Sequence, residues 1–182
     1  PGRALTRAGA RPGDAIYVTG TLGAAGAALQ LLSSGDGDVP GSLRERLEQP
    51  RPRVGQGLRL AAVASACIDI SDGLAGDLQH VLDASGCGAT VELARLPLMP
   101  ETRAYLQKSG DWQLPLTAGD DYELLFTVPQ QQQATLQALL PELGCEATRI
   151  GTIEAEAGLR CIDEQGALRE PGHAYDHFSD HG

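Results

Sequence analysis

Lysine is almost missing from this chain. Lys108 is the only one in 182 residues, and 24 acidic against 14 basic side chains leave a formal charge of -10 at pH 7. Proteins that bind nucleic acids cluster Lys and Arg to displace counterions from phosphates, so a chain this acidic is not built for that partner. Long apolar runs are missing as well. No stretch reaches the roughly eighteen uninterrupted apolar residues of a membrane span, and no charged segment leads into an apolar one at the start as in a secretory signal. The expected setting is therefore the cytoplasm, with no membrane partner. The four cysteines, at 67, 87, 145 and 161, form no C-x-x-C pair and have no histidine at metal-ligand spacing, which leaves reduced, mostly buried thiols as the expectation.

Several catalytic loops are also absent. There is no G-x-x-x-x-G-K-[ST] phosphate loop, and "GTLGAAG" at 20–26 fits a dinucleotide fingerprint only loosely; a strand, a Gly turn and an Ala-rich helix suffice to explain it. No serine nucleophile elbow occurs. Internal repeats and long low-complexity tracts are lacking too.

What is present suits one compact domain: 42% of the residues are hydrophobic, enough for a real core. The opening "PGRALTRAGARPGD" carries no initiator Met and reads as the middle of a connection, so a piece of a longer protein is expected. After the turn-forming "RPGD", "AIYVTG" at 15–20 predicts a strand, and the Ala- and Leu-rich residues 23–32 predict a helix stopped at Gly35. "GDGDVPGS" reads as a loop, and Pro50 and Pro52 force an extended path after "LRERLEQ". Residues 55–65 predict a small-residue helix. "ACIDI" predicts a strand, and the apolar positions 74, 78, 81 and 82 predict a helix ended by Gly86. Beyond it come a strand at "ATVEL", a helix begun by Pro100, a strand at "YELLFTVP", a helix at 130–143, a strand at "CEATRIGTI" and a hairpin turning at Gln165 and Gly166. This alternation implies a layered α/β or α+β domain, a mixed sheet flanked by helices.

The chemistry concentrates at Asp69-Ile70-Ser71-Asp72-Gly73. Strand alternation sends Ile68 and Ile70 to one side and Asp69 to the other, with Asp72 near the helix entrance, so both carboxylates are expected to face one cleft. Two such charges about 5 Å apart repel by roughly 3 kcal/mol at an effective dielectric of about 20. A divalent cation would compensate. Mg²⁺ takes oxygen ligands, commonly one or two carboxylates together with nucleotide phosphates, which makes Asp69 and Asp72 candidate partial ligands. The competing reading is plain helix capping.

A second acidic cluster, "AGDDYELLF" at 118–126, reads either as solvated turn residues or as a polar contact to a substrate. The tail "GHAYDHFSDHG" gathers His173, His177 and His181 beside Tyr175 and Phe178, and is expected to anchor aromatics over a cleft.

Taken in order, "GRALTRAGARPGDAIYVTGTLGAAGAAL", "QPRPRVGQGLRLA", "IDISDGLAGDLQHVLDASGCGA", "AGDDYELLFTVP" and "YDHF" resemble the thiamine-monophosphate kinase family. Its wider superfamily includes aminoimidazole ribonucleotide synthetase, selenophosphate synthetase and a hydrogenase maturation factor. The resemblance runs from residue 2 to 178. It implies an ATP-dependent, Mg²⁺-assisted phosphorylation of thiamine monophosphate to thiamine diphosphate, by direct transfer with no phosphoenzyme. It also implies that residues 1–182 are the C-terminal domain of a two-domain, homodimeric kinase, whose metal-binding and dimer-forming first domain would precede Pro1. Position by position, Asp69 and Asp72 resemble the Mg²⁺ ligands, Ser71 and Arg7 resemble ATP contacts, and Asp120 and Tyr175 resemble substrate contacts. Asp120 stands where many members have Glu, and Ala174 where Gly is expected. Another ATP-using synthetase of the superfamily and a non-catalytic binding module are the alternatives.

Overall fold

Ala15, Ile16, Tyr17 and Val18 are all buried, which requires cover on both faces of the strand they form. Alternation divides them: Ile16 and Val18 enter one core, Ala15 and Tyr17 another. In the computed structural model, which describes residues 4–35 and 38–171, this strand, β1 (Ala15–Thr19), lies inside a seven-stranded sheet. The others are β2 (Ala66–Asp69), β3 (Gly88–Glu92), β4 (Leu124–Val128), β5 (Ala147–Glu154), β6 (Gly158–Ile162) and β7 (Leu168–Arg169). Their order is β2-β4-β1-β5-β3-β6-β7. Every neighbouring pair is antiparallel except β3 and β6. The sheet is therefore mixed, as the alternating pattern implies.

Helices α1 (Ala24–Ser34), α2 (Gly41–Glu48), α3 (Val54–Leu60), α4 (Leu74–Ser85), α5 (Pro100–Ser109), α6 (Leu114–Thr117) and α7 (Gln133–Leu143) complete the layers. On one face, Leu74, Leu78, Val81 and Leu82 of α4 pack on Ile16, Val18, Leu125 and Ile150. The other face is covered by Leu60 of α3 and Leu136 and Leu143 of α7. There Tyr17 stacks on Phe126 with ring centroids 5.4 Å apart. A third cluster joins Ala24, Ala27 and Ala28 of α1 to Leu43 of α2 and Leu114 of α6. Small side chains on α1 let these helices approach closely.

Two differences from the sequence pattern bear on the site. Helix α2 occupies residues that read as loop and extended chain; its sequence GSLRERLE buries only Leu43, so its apolar periodicity is nearly silent. Strand β4 begins at Leu124 rather than at Tyr122, because Asp120 and Tyr122 take positive φ of 66° and 49°, which no strand accommodates. The four cysteines are free, Cys87 and Cys161 buried and the other two half-buried. Burial pushes the Cys67 thiol up to about 12 and the Cys161 thiol to about 11, which disfavours reactive thiolate. Among the described residues no helix is long and apolar enough to cross a membrane.

Candidate functional site

Between the end of β2 and the start of α4 the chain turns through Ile70-Ser71-Asp72-Gly73. As alternation requires, Ile70 is buried in the α4 core with Ile68 packed against it, while Asp69 is exposed. The cap position falls on Gly73, with φ 107° and no side-chain hydrogen bond. Asp77, one turn inside the helix, ties the turn to α4: its carboxylate Oδ2 accepts the backbone N–H groups of Ser71 at 2.9 Å and of Asp72 at 3.0 Å. Asp77 is buried. Burial raises its pKa, and the two N–H bonds partly oppose that rise.

The second acidic motif is interlocked with the first. Asp120 donates its N–H to the Ser71 carbonyl at 3.0 Å, Tyr122 donates to the Ile70 carbonyl at 2.9 Å, and Ile70 donates to the Glu123 carbonyl at 2.8 Å. Glycine is needed where the two segments touch. A Cβ on Gly119 would lie 2.2 Å from the Ser71 carbonyl oxygen, and one on Gly73 would lie 2.8 Å from the Thr117 carbonyl carbon.

The left-handed turns at Asp120 and Tyr122 send alternate side chains outward and inward. Asp120 and Tyr122 are exposed, and Asp121 and Glu123 are buried. A pair of solvated turn acids is thus the wrong picture for Asp121. Both of its oxygens accept the Gly23 N–H at the start of α1, at 3.0 and 2.9 Å. Burial pushes its pKa up to about 7 despite that bond and the nearby Arg46, with Glu123 and Asp120 pushing the same way as burial. Glu123 is held between Arg46, at 2.6 Å, and Arg53, at 2.7 Å from both its Nε and its Nη2, and accepts the Thr19 hydroxyl at 2.7 Å. Burial raises its pKa, but the bonds from Arg53, Thr19 and Arg46 outweigh that and leave it lowered.

Asp77, Asp121 and Glu123 were not legible as site supports in the sequence. Only Glu123 carried a local signal, being acidic at the head of an apolar strand.

These supports shape a cleft of about 530 Å³, within the usual range for small-molecule sites. Ser71, Asp72 and Asp120 line it together with the apolar Ala25, Gly26 and Leu29 of α1. Asp69 does not share it. It lines a neighbouring groove of about 500 Å³ with Arg53 and Tyr122, so the expectation of one cleft for both carboxylates is replaced by two adjoining ones. Tyr122 links them: Asp120 most strongly, and also Asp69 and Asp72, raise the pKa of its hydroxyl. Among the described residues no three His, Cys, Asp or Glu side chains converge as a metal cage.

Arg7 lies on a segment that runs beside β2, where Ala4 and Leu5 line the groove that also holds Asp69. The neighbouring Thr6 carbonyl accepts the Cys67 N–H, the Arg7 carbonyl accepts the Ser85 hydroxyl at 3.4 Å, and Ser85 Oγ accepts the Gly9 N–H. Ser85 ends α4, roughly 16 Å along the helix axis from its first residue at about 1.5 Å per residue. Tyr175, and with it the histidine-rich tail, lies outside the described residues.

Comparison with known proteins gives a consistent relationship. Thiamine-monophosphate kinase of Escherichia coli (strain K12) is 40% identical over 183 residues, covering 98% of this chain and 56% of the relative. The chain thus spans about half the length of the curated relatives it matches. The crystal structure of thiamine-monophosphate kinase from Stenotrophomonas maltophilia K279a superposes with a TM-score of 0.81 at 39% identity, over 91% of this chain and 54% of that one. AaThiL complexed with AMPPCP and TMP superposes with a TM-score of 0.78 at 32% identity, over 96% of this chain and 54% of that one. The profile of AIR synthase related protein, C-terminal domain, matches residues 11–164, and the chain belongs to that family.

Proposed function

We propose that this chain is the C-terminal domain of a two-domain thiamine-monophosphate kinase, which transfers the terminal phosphoryl group of ATP to thiamine monophosphate. The observation that carries this reading is the meeting of Ser71 and Asp72 with Asp120, from segments far apart in sequence, in the lining of one cleft. The kinase relatives at 40% identity, and the AMPPCP and TMP held by AaThiL, support ATP as co-substrate and thiamine monophosphate as acceptor.

In this reading Asp69 and Asp72 hold Mg²⁺, Ser71 and Arg7 contact ATP, and Asp120 and Tyr175 contact the acceptor. The donor set fits the ion. Two carboxylates from one short turn, Asp69 and Asp72, suit a cation that completes its coordination with phosphate oxygens and water. When bound, Mg²⁺ neutralises charge on the transferring phosphate. The chain's own contribution is positioning. Asp77 fixes the backbone under Ser71 and Asp72, and the interlocked turn holds Asp120 beside them. An oxygen of the acceptor phosphate attacks the γ-phosphorus in line, a P–O bond forms, the β–γ bridging bond breaks, and ADP leaves with the electron pair. The acceptor phosphate is already ionised, so the step needs no strong base and no phosphoenzyme.

The remaining metal ligands and the dimer contacts belong, in this proposal, to a preceding domain in a cytoplasmic homodimer. The 182 residues alone are then nearly inactive. The test is to incubate the full-length protein with ATP, Mg²⁺ and thiamine monophosphate and to separate the products. Thiamine diphosphate and ADP in equal amounts support the reading; ATP turnover only with a purine precursor or selenide would replace it with a sibling synthetase.

A further inference from the structure

We infer that Gln30 reads the aminopyrimidine ring of the acceptor through its amide nitrogen, a specificity role that rests on the kinase reading of the cleft. Gln30 lies on α1 and lines the same cleft as Ser71, Asp72 and Asp120. The donors available there are few. The carboxylates accept only, the Ser71 hydroxyl is a donor beside them, the Thr117 hydroxyl donates to the Gln113 carbonyl at 3.1 Å, and Leu29, Ala25 and Leu114 offer apolar surface. Gln30 therefore supplies the one side-chain N–H group among the residues lining this cleft.

Its orientation is set from outside. The Tyr105 hydroxyl, on α5, donates to the Gln30 amide oxygen. That bond occupies the carbonyl end, and the NH₂ end has no hydrogen-bond partner among the described residues. A donor beside apolar side chains, held by a neighbouring hydroxyl, selects a flat ring that presents a lone pair in its plane. The pyrimidine of thiamine monophosphate has two such ring nitrogens. Its phosphate can then extend toward the acidic side chains, where the transfer occurs. A site that hydrogen-bonds a substrate group discriminates against the analogue lacking it more sharply than an apolar pocket does.

The test uses the full-length protein with thiamine monophosphate and with its 1′-deaza and 3′-deaza analogues, in which one ring nitrogen is replaced by C–H. Wild type is expected to prefer thiamine monophosphate over one of the two analogues by roughly threefold to tenfold in kcat/KM, as for one hydrogen bond. Gln30→Met should raise KM for thiamine monophosphate by a similar factor, leave kcat and the KM for ATP unchanged, and bring that preference close to one. Tyr105→Phe should do the same more weakly, because the amide can then rotate. A preference that survives Gln30→Met, or wild type that shows none, overturns the inference while leaving the kinase reading intact. Absence of thiamine diphosphate from wild type would instead remove the kinase reading itself.

Discussion

Gly119 is pressed against the carbonyl of Ser71 so closely that a single methyl group would lie 2.2 Å from its oxygen. The same oxygen accepts the N–H of Asp120. Two acidic motifs separated by some fifty residues of chain are thus one structural unit. Gly119→Ala must push the segments apart and break that bond. A loss of roughly 1–3 kcal/mol is expected, the usual cost of overpacking a close contact, read as a lower urea midpoint. Unchanged stability would mean that the two segments are not in contact.

Asp77 acts on the same turn from below. Asp77→Ala leaves the N–H groups of Ser71 and Asp72 without their acceptor, and should cost about 1–3 kcal/mol or more. Asp77→Asn retains an acceptor oxygen and should cost less. Equal losses in thermal melts of the two variants would show that the carboxylate's hydrogen bonds do not organise the turn.

Glu123 neutralises two guanidinium groups out of water, its side chain 1% exposed and those of Arg46 and Arg53 17% and 15%. Removing one partner of a buried ion pair strands the others, so Glu123→Ala should destabilise by about 3–5 kcal/mol. The lowered pKa of Glu123 adds stability that is present above the unfolded carboxyl value and lost as pH falls through the folded one. The acid limb of the wild-type pH–stability curve should be shallower in Glu123→Gln, measured at fixed salt.

Asp121 has the opposite linkage. Its carboxyl is raised from 3.8 to about 7, so between those values the folded state holds a proton that the unfolded state has released. The contribution is fully present below about pH 4 and disappears as pH rises through about 7. Asp121→Asn, which retains an acceptor for the Gly23 N–H, should gain stability relative to wild type between pH 5 and pH 8. Urea unfolding at both values checks the sign; a constant difference would place the titration elsewhere.

These groups also show where sequence and structure part. β1, α1 and α4 were legible because their periodicity is strong and glycines end both helices: Gly35 and Gly86 take φ of 69° and 66°. α2 was not, since one buried leucine leaves no apolar stripe and its Arg46 is tied to Glu123, a residue 77 positions away. The cluster of Ser71, Asp72 and Asp120 could be named as candidates from their motifs. That Asp69 lines a separate groove, and that Asp77 ties down the N–H groups of Ser71 and Asp72, depends on how two turns pack, which pattern along one segment does not encode.

Asp72 itself should separate activity from folding. Asp72→Asn keeps the side-chain volume and leaves the bond from its backbone N–H to Asp77 in place, so its melting temperature should stay within a few degrees of wild type. Thiamine diphosphate formation by the full-length protein should fall at least tenfold. Equal losses of both would make the residue structural.

The most direct measurement is the Mg²⁺ dependence of ATP binding to the full-length protein, wild type beside Asp69→Asn and Asp72→Asn, by calorimetry. Wild type is expected to bind ATP tightly only with Mg²⁺, and each variant to lose most of that enhancement. Affinity that is the same with and without the ion, or enhancement untouched in both variants, would contradict a nucleotide site organised by these two carboxylates.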